Sequence, residues 1–268
     1  MGGLCFGCIV PHPPLLIPDI GRGNERRVSA TIEAMEELAG LMADREPQTV
    51  LIISPHGEYH ADAMGILTGD FCTGDMHNWG SREPQRHFDN DKALVELILQ
   101  EAKEANIPLK PIGRSGYRLD QGVMVPLHFL YSAIQGAYLV PLTFSWLPLE
   151  SHYEFGKVIN RAAAQSGRRV VLIASGDLSH RLIPEAPAGY DPLGKVFDET
   201  LVEAISRLDT DSIMNIDRNL IESAGECGMR SVVILMGALE GLNVRQKVHS
   251  YEGPFGVGYM VASFDVES

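Results

Sequence analysis

Four stretches of the chain are apolar at nearly every position and end abruptly in polar or kinked sequence: Leu4–Val10, Thr49–Ser54, Ala137–Phe144 and Arg169–Ser175. Runs of this length, rich in Val, Ile and Leu, predict strands buried on both faces; half-exposed ribbons would alternate polar and apolar residues. Elsewhere the period changes. Asn24–Met42 places Val28, Ile32, Met35, Leu38 and Met42 along one helical stripe, and Asp89–Ala105 repeats the pattern with Asp89 or Asn90 as its N-cap. Further helices are expected over 123–135, 151–166, 192–207 and 228–240. Val244–His249 and Gly256–Phe264 read as a closing strand pair around a glycine-rich turn. This alternation predicts an α/β fold, with a central, largely parallel or mixed sheet and helices on both faces. No linker, repeat or shift in composition divides the chain, so a single domain over 1–268 is expected. Only Thr68–Asp89 fits neither period. An irregular stretch of that length predicts a lid or binding loop, offering His77, Trp79, Arg82, Arg86 and His87 to a substrate.

Composition narrows the function. The 268 residues are 45% hydrophobic and 21% charged, which suits a globular enzyme. No apolar run is long enough to span a bilayer, and the first residues lack the basic start of a secretory leader, so a cytoplasmic protein without membrane contact is expected. With 35 acidic against 22 basic residues the net charge is -13, and no basic cluster interrupts it, which argues against a nucleic-acid partner. Four scattered cysteines are too few for a disulfide framework. The Cys5/Cys8 pair has no second pair to complete a thiolate zinc site, and reads as small buried residues of the first strand.

The candidate chemistry collects where three of the predicted strands stop. CIVPHPP puts His12 just past one strand end, VLIISPHG puts His56 at a matching position, and VVLIASGDLSH puts Asp177 and His180 beyond a third. Open α/β sheets bind ligands at the carboxyl ends of their strands. The prolines and glycine flanking both histidines stiffen or turn the backbone as it leaves the sheet, which suits a metal ligand. A carboxylate is needed beside them. Glu226, bracketed by Gly225 and Gly228 ahead of an apolar helix, is the leading candidate; Glu222 is expected on a preceding helix, and Cys227 stands next to Glu226. Two histidines and one carboxylate form the facial set of non-heme Fe(II) sites, with positions left for a bidentate substrate and O2; zinc or another divalent ion would also fit, zinc supporting hydrolysis instead. His60, His128, His152 and His249 read as structural or peripheral, and Tyr190–Asp191 as a pocket edge or a turn.

The P-H-P-P around His12, the S-P-H-G around His56, the S-G-D-L-S-H ending at His180 and Glu226 before V-V-I-L-M-G-A-L resemble the catalytic subunit of class III extradiol ring-cleavage dioxygenases, the LigB-like proteins. The chain is also similar to the related Memo-like family. L-D-Q-G-V-M-V-P-L at 119–127 and the G-P-F-G-V-G-Y near the end extend the resemblance over nearly the whole chain. It implies an α/β core, often a dimer, Fe(II) held by His12, His56 and Glu226, His180 as acid/base with Asp177 orienting it or touching substrate, and a catechol-type aromatic opened with O2. Two residues depart from the dioxygenase pattern: Gln121 stands where those proteins often have histidine, and Cys227 matches a Memo-like cysteine. The Memo-like alternative implies a metal-binding protein without ring cleavage, with a radical-SAM protein as a possible partner.

Overall fold

The structure is a computed structural model that describes residues 2–267. Its strands are β1 (Gly3–Val10), β2 (Thr49–Ser54), β3 (Met64–Leu67), β4 (Phe71–Gly74), β5 (Arg86–Asp89), β6 (Leu109–Ile112), β7 (Tyr117–Arg118), β8 (Tyr138–Thr143), β9 (Arg169–Ser175), β10 (Val244–Glu252) and β11 (Tyr259–Val266). Its helices are α1 (Pro18–Gly21), α2 (Ser29–Ala43), α3 (Lys92–Glu104), α4 (Gln121–Leu130), α5 (Leu149–Ser166), α6 (Pro192–Ser206), α7 (Thr210–Met214), α8 (Arg218–Ala224) and α9 (Met229–Ala238).

The main sheet runs β10-β11-β1-β9-β2-β8-β3-β6. Its centre, β1-β9-β2-β8, is parallel, while β11 and β3 join it antiparallel on either side, so the sheet is mixed. Both faces of the centre are buried. On β2, Leu51 and Ile53 enter one apolar cluster and Val50 and Ile52 the other; on β9, Val170, Leu172 and Ala174 face one way and Val171 and Ile173 the other. This two-sided burial is why the central strands read as unbroken apolar runs. Helices α3, α5 and α9 pack on the first face, α2 and α4 on the second. The fold class is the one the periodicity predicts.

Several details differ from the expectation. Thr68–Asp89 is not a structureless loop: β4 pairs with β5 and β7 in a small second sheet, too short to show a period. Asp89 ends β5, Asn90 bonds the carbonyls of Leu67 and Gly69, and it is Asp91 that caps α3 through Leu94 N. The helices expected from Asn24 and over 123–135 are each part 3-10: Asn24–Val28 precedes α2, and Tyr131–Ile134 follows α4. Cys5 and Cys8 lie on β1 as free cysteines. Among the described residues no helix is long and apolar enough to cross a membrane.

Candidate metal centre

Three residues arrive at one place because of register. Val10 pairs with Ser175, and Ile53 with Ala174, so the last residues of β1, β9 and β2 stand level at one edge of the parallel sheet. Two residues further on, each strand presents a polar side chain: His12, Asp177 and His56. Parallel neighbours emerge on the same edge, so residues at the same offset meet there. His12 Nε2 lies 2.9 Å from His56 Nε2, and His12 N donates to Asp177 Oδ1 at 3.0 Å.

The hydrogen bonds around His12 settle which of its nitrogens is free. Ser175 Oγ donates its single proton to the Gly122 carbonyl at 2.6 Å, so at 3.0 Å it can only accept from His12 Nδ1. In the neutral ring this leaves the Nε2 lone pair aimed at His56, the tautomer a metal ligand needs. Gly122, at the start of α4, is required for this approach: a Cβ there would sit 2.3 Å from Ser54 Oγ. Ser54 Oγ in turn donates to Asp120 and accepts from His56 N, fixing the turn that carries His56. Gln121 stands at the first position of α4, between these two anchors.

The second half of the centre comes from the turn between α8 and α9. Cys227 Sγ lies 3.8 Å from His12 Nε2 and receives the Asp177 N–H at 3.3 Å, while Cys227 N donates back to the Asp177 carbonyl. His180 N bonds the Ala224 carbonyl, and His180 Nδ1 donates to the Gly225 carbonyl at 2.5 Å. A carbonyl can only accept, so in the neutral ring it is Nε2 of His180 that is free; it stands 3.8 Å from Asp177 Oδ2. Two overlapping donor groups result, His12–His56–Cys227 and Asp177–His180–Cys227, each with its ligand atoms within 4.8 Å of one another. Two nitrogens that each lie ~2.1 Å from one cation and subtend a right angle are ~3 Å apart, so the first group suits a divalent ion. Glu226 is placed differently. Its carboxylate accepts from Met229 N at 2.5 Å, at the start of α9, yet its side chain lines the same cleft of about 110 Å³ as His56 and Cys227. Glu222 is on α8, paired with Arg218 at 2.9 Å.

Electrostatics separates the roles. Burial pushes Asp177 up, but the imidazoles of His12 and His180 and the His12 N–H outweigh it, so the carboxylate is held below its ordinary range. Burial lowers His180, and the Asp177 carboxylate with the Gly225 carbonyl more than reverses this, so it is raised. His56 keeps one side toward solvent; desolvation of the other side and the His12 ring lower it. Burial raises Glu226, and burial followed by the Asp177 charge raises the Cys227 thiol well above its ordinary value. Without a cation, Cys227 is therefore a thiol.

The other histidines lie elsewhere. His77 contacts Asp75 and Glu83, His87 stacks on Phe71, and Arg86 lies over Tyr131, so these side chains of the small sheet are engaged within it or with α4 and the turn that follows. His128 meets Glu83 at 2.7 Å, tying α4 to that sheet. His152 is buried, bonding the Pro148 carbonyl, His60 bonds the Pro111 carbonyl, and Asp191 caps α6. Residue-by-residue reading missed Ser175, Ser54 and Asp120. Each looks like an ordinary strand end or cap, and only the register shows what it holds.

Comparison with known proteins identifies the family. Residues 7–262 match the LigB family, described as the catalytic LigB subunit of aromatic ring-opening dioxygenase. Protein CA_C1420 of Clostridium acetobutylicum is 34% identical over 268 residues, covering 97% of this chain; the chain spans only 57% of that relative's length. The 2-aminophenol 1,6-dioxygenase beta subunit of a Pseudomonas species is 23% identical, covering 99% of this chain and 95% of its own. A MEMO1 family protein of Methanosarcina barkeri is 26% identical over 152 residues, covering 56% of this chain and 53% of its own. The chain belongs to the LigB family, within the LigB-like and Memo-like superfamily.

Proposed function

We propose that this protein is a non-heme Fe(II) dioxygenase that opens a catechol-type aromatic ring with O2. The observation that supports this best is the approach of two imidazole nitrogens to 2.9 Å, with the lone pair of one fixed by Ser175. In this reading His12 and His56 hold the ion, and Glu226 leaves Met229 N to provide the third ligand, a hard oxygen donor suited to iron. The bound ion would supply Lewis acidity to both ring hydroxyls and a place where O2 meets the ring. His180 takes a ring proton at Nε2, since its Nδ1–H is committed to Gly225, and returns one later; Asp177 holds the resulting imidazolium. Holding both reactants in one cleft removes the entropy of their encounter. The substrate aromatic and O2 are thus the partners of this reading, together with a second copy of the chain if it dimerises as the resemblance implies.

A second reading has a specific observation behind it. Cys227, not Glu226, lies beside His12 in the structure, and Gln121 cannot relay a proton. With Cys227 as third ligand the protein would be a Memo-like metal protein, acting with a partner such as a radical-SAM enzyme and without ring cleavage. Anaerobic loading with Fe(II), metal analysis and O2-uptake measurement over a catechol panel separate the two. The dioxygenase reading expects O2 uptake, with Fe(II) affinity falling about 10- to 100-fold in Glu226→Gln and little in Cys227→Ser. Metal bound without O2 uptake, and affinity lost on Cys227→Ser instead, would establish the alternative. Zinc as the bound ion, with turnover of an ester or amide, would point to hydrolysis.

A further inference from the structure

The metal cleft is not closed at its far end. Trp146, Glu226 and Arg230 line it, and the same three residues line a second cavity of about 660 Å³ that extends between α5, α8 and the start of α9. That volume falls in the range of small-molecule sites and exceeds the cleft several-fold, so a substrate held at the histidines has room for a substituent on this side.

Arg230 gives this second cavity its chemistry. It is the second residue of α9, where the helix dipole is positive and a cation is unfavourable by ~0.3–1 kcal/mol. Among the described residues it has no carboxylate within salt-bridge distance, and its Nε is buried without a hydrogen-bond partner. The acids around it are otherwise engaged: Glu226 accepts from Met229 N, Glu222 pairs with Arg218, and Glu150 sits in the first turn of α5, where the dipole favours it. The guanidinium lies over the Trp146 ring at 4.6 Å and near the Phe144 ring at 5.9 Å. Cation–π attraction of this kind holds a guanidinium over a ring while its N–H groups remain free to bond. Trp146 itself is 58% exposed and meets Tyr59, 56% exposed, edge to face at 6.2 Å, an aromatic rim over the cleft. A half-buried cation with no carboxylate in salt-bridge distance, set over the exposed Trp146 ring and near the buried Phe144 ring, is an incomplete ion pair.

We infer that the second cavity receives the carboxylate-bearing substituent of the aromatic substrate, with Arg230 pairing to the carboxylate and Trp146 forming the wall beside the ring. A planar carboxylate matches the two parallel N–H groups of a guanidinium edge, whereas an amide or an ammonium does not. This rests on the ring-opening reading for the orientation of the substrate; the binding preference does not depend on turnover.

The test is a binding series on anaerobic, Fe(II)-loaded protein, read by tryptophan emission. A Trp79→Phe background leaves Trp146 as the reporter, because the chain has two tryptophans. Three probes differ only at the substituent: 3-(3,4-dihydroxyphenyl)propanoate, the corresponding propanamide, and 4-(2-aminoethyl)catechol. The propanoate is expected to bind about tenfold or more tighter than the amide, and the amine weakest. In Arg230→Gln, with its fold checked by circular dichroism, the propanoate preference should fall to about twofold or less. Equal affinity of the wild-type site for propanoate and propanamide would overturn the inference without any variant, as would a preference unchanged in Arg230→Gln. A preference found in a protein that takes up no O2 would sustain the inference while ring opening failed; O2 uptake without a preference would do the reverse.

Discussion

His180 shows how much of a residue's chemistry is set by its neighbours. In sequence it is one histidine at the end of an S-G-D-L-S-H turn; in the fold, one nitrogen is tied to the Gly225 carbonyl and the other faces Asp177. The ring can carry a proton at near-neutral pH because that carboxylate outweighs the cost of burial. If His180 is the proton carrier, His180→Asn keeps an N–H at the Nδ1 position for Gly225 but cannot relay, and kcat should fall about 10²- to 10⁴-fold while Fe(II) affinity stays within about threefold. Steady-state O2 uptake beside metal titration checks this. Near-normal turnover would remove His180 from the mechanism. His12 and His56 were legible in the sequence because each follows a strand-length apolar run and is bracketed by Pro or Gly. Ser175 was not, because its role exists only when α4 brings the Gly122 carbonyl to it.

Between elements, close backbone approach decides the geometry. Gly176 and Gly228 let the α8–α9 turn press against the end of β9; a Cβ on Gly176 would lie 2.2 Å from Gly228 Cα. That contact brings Cys227 and Glu226 to the histidines. Gly176→Ala should therefore cost about 1–3 kcal/mol of stability and weaken metal binding as well, since the turn must move off the strand. Denaturant unfolding and metal titration measure both. Wild-type values in each would show that the contact is not what places the turn. The central strands and most long helices could be read from the periodicity, because their residues face a core along their whole length. The second sheet could not: β4 and β5 have four residues each and β7 two, shorter than any period can establish.

Over the whole molecule, the loop that carries His180 is pinned by Asp198 of α6, whose carboxylate accepts from Ser179 N at 2.8 Å and from the Tyr251 hydroxyl of β10 at 2.7 Å. Asp198 is fully buried, and burial is the main reason its pKa is pushed up from 3.8 to about 6. The fold therefore favours the protonated acid. Its contribution is complete below about pH 3.8 and is lost as pH rises through about 6, a change of roughly 3 kcal/mol. Asp198→Asn should remove that slope, so that the stability difference between variant and wild type shifts by this amount in the variant's favour between pH 4 and 7.5. Urea unfolding across that range measures it; parallel profiles would rule the assignment out. By itself the sequence determined the α/β class, the central strands and the histidines at their ends, because apolar period and strand-end chemistry are local properties. Tertiary structure decided what those residues form together. Parallel register set His12, Asp177 and His56 level with one another, and glycine contacts brought in the 225–228 turn. The same packing left Arg230 lining a cavity with, among the described residues, no carboxylate within salt-bridge distance of it. Such neighbours lie up to 215 positions apart, as Cys227 and His12 do, and no spacing along the chain encodes a contact made across the sheet edge.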